Sequence, residues 1–180
     1  MATAILEASA RILESEGLPG FNARSIATRA TMSTGLLYRY FPDKEAIVLA
    51  LIAKFKAALQ DALLESMQAG KGMQLKPRLR LVIRALVTVH YHRPRLNRVL
   101  EAEEERLGGG AENAAFHAIM LQFLREHKNE VTAPITAATE RVVVAILEAL
   151  VHMGLTSGTS QRSTEQQAFR AVAGYLLYAV

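Results

Sequence analysis

Residues 21–41 read FNARSIATRATMSTGLLYRYF, and two helix starts of the same design lie inside them. Asn22 is a good N-cap, with Phe21 before it and Ile26 at the fourth helical position, so that the two apolar residues can clasp across the first turn. The design then repeats, with Ser33 as cap, Met32 before it and Leu37 four residues on. Phe41-Pro42 ends the second segment, because the residue before proline is driven out of the helical region. Two helices of about two turns, 23–30 and 34–40, therefore flank the turn Thr31-Met32-Ser33. Each clasp fixes how the chain enters its helix, so the angle between the helices is written locally. A helix, a three-residue turn and a short second helix make helix-turn-helix geometry, whose second helix fits the DNA major groove.

A two-turn helix can bury little of itself. Leu37 and Phe41 lie four apart and should face inward. Thr34, Tyr38, Arg39 and Tyr40 are then left largely outside. Two phenolic hydroxyls and a guanidinium on one small surface suit phosphate oxygens and base edges. Gly35 removes a side chain near the helix start and permits close approach. The competing reading is an amphipathic cap with half-buried rings and wet hydroxyls; the paired start signals favour DNA contact.

The remainder of the 180 residues also reads helical, and the expected class is all-α with about nine helices. Helix formers dominate and sustained alternation is missing. Ile5, Ala8, Ile12 and Leu13 give a one-sided stripe over a first helix, 3–16, closed by Gly17 with Pro19-Gly20 behind it. Asp43 can cap a long helix, 44–68, with Ile47, Val48, Leu51, Ile52, Phe55 and Leu59 on one face. Ala69-Gly70-Lys71-Gly72 is the clearest linker. Further helices are expected over 75–92, 94–107 (closed by the triple glycine 108–110), 112–128, 133–154 and 164–180. The last would start with Thr164 and Gln167 as a capping box. The division that follows is a DNA-binding domain, 1–45, and a regulatory and dimerisation domain, 46–180, connected by helix 44–68.

The stretch GLPGFNARSIATRATMSTGLLYRYFPDKEAI resembles the tetracycline-repressor (TetR) family of one-component bacterial transcription regulators. The shared features are the Phe before the second helix, Ile26-Ala27, Ala30, Ser33, the run Gly35-x-Leu37-Tyr38-x-Tyr40-Phe41, and Lys44-Glu45. The resemblance spans roughly residues 3–52. It implies that Arg24, Ser33, Thr34, Gly35, Leu36 and Arg39 lie where bases or adjacent phosphates are met, and that Tyr38, Tyr40 and Lys44 hold phosphates. Leu36 can offer only apolar contact, as to a thymine methyl. The resemblance further implies a homodimer on a double-stranded, near-palindromic operator, and usually repression released by a small apolar or amphipathic effector; a cytoplasmic location is expected from the absence of cysteine and of a signal-peptide pattern. Two departures stand out. Thr31 occupies a turn position that is usually Gly in the family, and the expected basic N-terminal arm is weak or absent.

An effector pocket is expected around Leu86, His90, Phe116, Met120 and Phe123, although such residues serve more often as plain core. The run VVVAILEALV leaves almost no polar face. A dimer interface is therefore expected at Val143, Leu147 and Leu150 with Phe169, Val172 and Leu176 of the last helix.

The exclusions are short. Cysteine is absent, which removes disulfides and thiolate chemistry. No serine has a nucleophile motif around it, and the histidines lack metal-ligand spacing, so no catalytic residue, metal or cofactor is expected and the chain does not read as an enzyme. No apolar run is long enough to span a membrane, so no membrane partner is expected. Residues 1–45 carry Arg11, Arg24, Arg29, Arg39 and Lys44 against Glu7, Glu14, Glu16, Asp43 and Glu45, so any basic surface must come from arrangement. The basic series Lys76, Arg78, Arg80, Arg84, Arg93, Arg95 and Arg98 is more often a solvated face than a second nucleic-acid surface. The alternatives to a DNA-binding regulator are a helical ligand-binding protein or enzyme without DNA binding, and a helical adapter whose first domain binds protein.

Overall fold

The computed structural model describes residues 1–108 and 113–178, and among these every regular element is a helix. In order they are α1 Ala2–Gly20, α2 Ala23–Arg29, α3 Thr34–Tyr40, α4 Lys44–Ala69, α5 Leu75–His92, α6 Pro94–Arg106, α7 Ala114–Glu126, α8 Ala137–Ser157 and α9 Gln161–Leu177. The expected Gly109, Gly110, Glu112 and the last two residues of the helix 164–180 lie outside the described residues.

By packing, the chain forms two compact units. The first is Met1–Ala57 with Arg93–Ala111, and the second is Ala58–His92 with Glu112–Val180. The first holds a core of Ile5, Ile12, Leu13, Phe21, Ile26, Leu37, Ile47, Val48, Leu51 and Ile52, joined by Leu96 and Leu100 of α6. Helix α6 thus packs against α1, although it follows α5 in the chain. Arg93 fixes that docking from the side, giving Glu14 two bonds of 2.9 and 2.7 Å.

The local signals act as their chemistry requires. Gly17 breaks α1 at φ 66°, ψ −162°, and Pro19 opens a fresh turn, where its missing N–H is no loss. Asn22 accepts from the Ser25 amide at 3.0 Å, and Ser33 from the Leu36 amide at 3.1 Å. Phe21 and Ile26 are both buried, at 4% and 0% exposure. Burying such side chains contributes about 1.5–3 kcal/mol each, against roughly 1 kcal/mol for a cap. The clasp therefore outweighs the cap in holding the turn, and the cap sets where the helix begins. Asp43 caps α4 through the Ala46 amide at 2.7 Å.

Among the described residues Thr31 is the only non-glycine with positive φ, at 56°. The turn before α3 does require the left-handed region, and a β-branched residue is strained there. That conformation costs an L-residue about 1–2 kcal/mol, and glycine gives back about 0.4–1 kcal/mol through its freer unfolded chain. Thr31→Gly is therefore expected to raise unfolding stability by about 0.5–1 kcal/mol. A loss of stability in denaturant unfolding would contradict the strain.

The second unit encloses Leu63, Leu75, Leu79, Val82, Ile83, Leu86, Met120, Phe123, Leu124, Val143, Leu147, Val172 and Leu176 among others. The bounds of α8 and α9 differ from expectation. Helix α8 starts at Ala137, capped by Thr136, and runs through Gly154 to a left-handed Gly158 at φ 70°. Gly154 does not end the helix because it is a point of close approach. A Cβ there would strike the Thr164 hydroxyl and come within 2.6 Å of the Tyr91 hydroxyl. Helix α9 starts at Gln161 with Ser160 as cap, and Thr164 lies inside the helix, buried. The capping box Thr164–Gln167 is accordingly not formed. The Thr164 hydroxyl shares a 2.7 Å hydrogen bond with Tyr91, whose hydroxyl also donates to the Thr159 carbonyl at 3.0 Å.

Helices α5 and α9 pack antiparallel, with one side-chain rung per turn. Gln161 donates to Thr88 at 2.9 Å, Arg84 faces Glu165 at 3.6 Å, and the Arg80 guanidinium lies over the Phe169 ring at 3.6 Å. No described helix is long and apolar enough to cross a membrane.

Candidate nucleic-acid interface

The outward side of α3 is built by the inward one. Leu37, 1% exposed, and half-buried Phe41 anchor the helix on the first core, which turns Thr34, Gly35, Tyr38, Arg39 and Tyr40 to solvent. Tyr38 and Tyr40 remain 52% and 46% exposed. A ring with an apolar body and a wet hydroxyl suits an interface. Leu36 is half-buried at the edge of the face, and exposed Ser33 uses its hydroxyl oxygen as the cap. Nothing within the unit demands glycine at 35, since an added Cβ would meet only the Ser33 hydroxyl at 3.9 Å. The bareness of that position faces outward.

Arg24 stands exposed on the first turn of α2, in an open cavity of about 500 Å³ lined also by Glu16, Ser25, Thr28 and Arg29. Ser25 and Thr28 are surface positions that sequence reasoning passed over. The signal was available, because Thr28 lies four residues after Arg24 on the same helix face. Lys44 opens α4, is exposed, and reaches the Phe21 carbonyl with its ammonium at 3.5 Å.

Arrangement supplies the charge that composition does not. Glu7 is bonded to Arg11 at 3.0 Å and lies 3.5 Å from Arg93; the Arg11 guanidinium holds its carboxyl below the ordinary value, against a smaller opposing effect of burial. Glu14 is bonded to Arg93, Glu16 to Arg29 at 3.1 Å and Glu45 to Arg106 at 3.1 Å. Asp43 is occupied at the start of α4. Among the described residues Arg24, Arg39 and Lys44 form no ion pair. Arg93 is the N-cap residue of α6 and Arg106 its last residue, so the two ends of that helix neutralise acids next to the short helices and leave these cations uncompensated.

The other expected sites are dispersed. Leu86, Met120 and Phe123 lie in the second core, with Phe123 against the Arg78 guanidinium at 5.5 Å and the His127 ring at 5.2 Å. His90 is half-buried, its Nδ1 2.8 Å from the Leu86 carbonyl, and half-buried Phe116 meets the His117 ring edge-on. Of the residues expected at a dimer interface, Val143, Val172 and Leu176 are 0% exposed inside their own subunit, and Leu147 is 6% exposed. They are core and present no surface to a partner. Half-buried Leu150 and Phe169 lie beside the same core. The all-round apolar character of α8 divides into that inward half and an outward row of Val142, Ala145, Ala149 and Met153, with Val142 and Met153 exposed at 40% and 49%. Periodicity showed that both halves were apolar and could not say which half was turned inward.

The basic series of α5 and α6 is likewise not one surface. Arg78 is buried, Arg93 is spent on α1, and Arg80 and Arg84 face α9. Among the described residues no group of three or more His, Cys, Asp or Glu side chains could hold a metal ion.

A helix-turn-helix with its second helix turned outward, in a chain that also carries a second helical unit, defines the class of helix-turn-helix proteins. Residues 5–51 match the model of the bacterial regulatory proteins of the tetR family, and residues 75–176 match that of the tetracyclin repressor-like C-terminal domain. The chain belongs to the TetR family. It is 33% identical over 87 residues to the HTH-type transcriptional regulator BetI of Burkholderia ambifaria, a match covering 48% of this chain and 42% of that protein, so it spans less than half the length of the curated relatives it matches. Its fold is that of a TetR family transcription regulator from Marinobacter aquaeolei, with TM-score 0.70, 24% identity and 97% and 94% of the two chains covered. The TetR family regulator PfmR from Thermus thermophilus gives TM-score 0.70 at 18% identity, covering 96% of each chain. Proteins of this family are DNA-binding transcription regulators that act as dimers.

Proposed function

We propose that this chain is a transcriptional repressor that binds a near-palindromic operator as a homodimer and leaves it when a small apolar or amphipathic effector binds. Residues 1–45 serve DNA and 46–180 serve regulation and dimerisation, with α4 connecting them. The observation that carries the reading is the outward face of α3 together with the uncompensated cations Arg24, Arg39 and Lys44. Arg39 and Arg24 read base edges, Thr34, Gly35 and Leu36 meet bases, Leu36 through a thymine methyl, and Tyr38, Tyr40 and Lys44 hold phosphates. The row Val142, Ala145, Ala149 and Met153 supports a two-fold contact between α8 helices, which would pair two recognition helices on one duplex. The effector acts by differential affinity for two states, so it must discriminate between them by a few kcal/mol.

A gel shift with the DNA upstream of the chain's own gene tests this. Lys44→Ala is expected to weaken binding to all sequences and to lower the salt slope by about 1. Arg39→Ala and Arg24→Ala are expected to relax base preference at particular positions, each by about 1–3 kcal/mol. Unchanged affinity and salt slope in Lys44→Ala would remove the phosphate role, and an unchanged selected motif in both arginine variants would remove direct reading. Sedimentation at micromolar concentration completes the test, since a monomer that binds the operator fully would overturn the dimer.

A further inference from the structure

The α5–α9 groove carries a cavity of about 170 Å³ lined by Arg80, Ile83, Arg84, Arg162, Glu165, Gln166 and Phe169. Three guanidinium groups meet one carboxylate there. Along an antiparallel helix pair, charged rungs normally close on each other, and the middle rung does so through Arg84 and Glu165. Gln161 donates to the same carboxylate at 3.0 Å, which takes up more of its accepting capacity. The next rung is different. Arg80 lies over the Phe169 ring, 3.6 Å from its centroid, instead of meeting an acid. Stacking fixes the plane of a guanidinium while leaving its N–H edges free to donate. Arg162, one turn before Gln166 on α9, is exposed and forms no ion pair among the described residues.

We propose that this groove binds a small anion with a phosphate or carboxylate head, held by Arg80 and Arg162. The volume sets the class. Pockets for drug-sized ligands run to about 300–1,000 Å³, so this one takes a head group and no more. Ile83 and half-buried Phe169 form its apolar lining, so an alkyl chain attached to the head has the Phe169 ring to lie against. No residue of the site belongs to α3 or to the outward row of α8, and the site does not rest on the reading of the chain as a repressor.

Titration calorimetry of the full chain with inorganic phosphate and with octyl phosphate tests the proposal. Both probes are expected to bind at about 0.15 M salt, where diffuse surface attraction is largely screened. Arg80→Gln and Arg162→Gln are each expected to weaken binding about tenfold or more. Phe169→Leu keeps every charge and removes the platform, and is expected to weaken binding as well. Arg125→Gln, which removes an exposed charge on α7, is expected to change nothing. Octyl phosphate binding about tenfold more tightly than phosphate would assign the site to an amphiphile, and equal binding to the free anion. Absence of heat with both probes, or equal weakening in Arg125→Gln and Arg80→Gln, would overturn the site.

Discussion

Replacing Gly154 with alanine is expected to lower unfolding stability by about 1–3 kcal/mol, the range for overpacking a close-fitted core. Ordinarily this substitution inside a helix is favourable, by up to about 1 kcal/mol, so the expected sign is opposite to propensity. The reason is local. The new methyl group would overlap the Thr164 hydroxyl and sit 2.6 Å from the Tyr91 hydroxyl. Neither neighbour can withdraw freely, because they bond to each other at 2.7 Å and Tyr91 also serves the Thr159 carbonyl. Thr164→Ala removes one of the two obstructing groups and frees the Tyr91 hydroxyl from its bond to Thr164, at the cost of that bond. The double variant is therefore expected to lose less than the sum of the singles, by at least about 0.5 kcal/mol. Additive losses in denaturant unfolding would show that α8 and α9 can move apart there, and an alanine variant as stable as the parent would refute the close fit.

Arg78→Ala is expected to cost more, about 3 kcal/mol, and to change how the chain responds to acid. Arg78 is 5% exposed, yet it donates to Glu126 at 2.6 Å and to the Met67 carbonyl at 3.1 Å, and it covers Phe123. Gly70 leaves room for it, since a Cβ at that position would lie 2.7 Å from the Arg78 Cγ. A guanidinium can only donate. The His127 Nε2 atom, 3.2 Å from Arg78, must therefore accept, which puts the ring hydrogen on Nδ1, facing Glu130 at 2.8 Å. The Arg78 bond lowers the Glu126 carboxyl below 4.5, and His127 with the Leu75 amide lowers Glu130 likewise. Both carboxyls have depressed folded values. Their contribution is present above the ordinary carboxylate value and lost as pH falls through the folded ones. Stability should thus decline below about pH 4.5 in the parent, and Arg78→Ala should flatten that decline, because Glu126 then titrates near its unfolded value. Parallel pH curves for parent and variant would remove Glu126 from the acid response.

What the sequence made legible follows from the range of each interaction. Asn22, Ser33 and Asp43 act within four residues, so caps, clasps and the outward face of α3 could be read directly. The strain at Thr31 was open to anticipation only through the family resemblance, which places glycine at that turn position. Contacts between distant segments gave no such signal. Gly154 looked like a helix end because its partner, Thr164, sits on another helix, and Thr164 looked like a cap because its partner is Tyr91. Val143, Val172 and Leu176 looked like interface because apolarity alone does not state which neighbour covers it. The neutralisation of Glu14 and Glu45 by Arg93 and Arg106 was hidden for the same reason, and it is what leaves Arg24, Arg39 and Lys44 uncompensated.

The docking of α6 on α1 also bears on how heads and bodies can be exchanged between such proteins. A hybrid joined inside α4, near residue 57, would import α1 through α3 and keep the recipient's α6. Leu96 and Leu100 would then have to fit a foreign α1, and Arg93 would need carboxylates where this chain has Glu7 and Glu14. The seam between head and α6 therefore acts as a compatibility lock. Recombination at a single crossover yields a folded hybrid only when both parents share its apolar and charged halves, and a transplant that carries α6 along needs a second crossover.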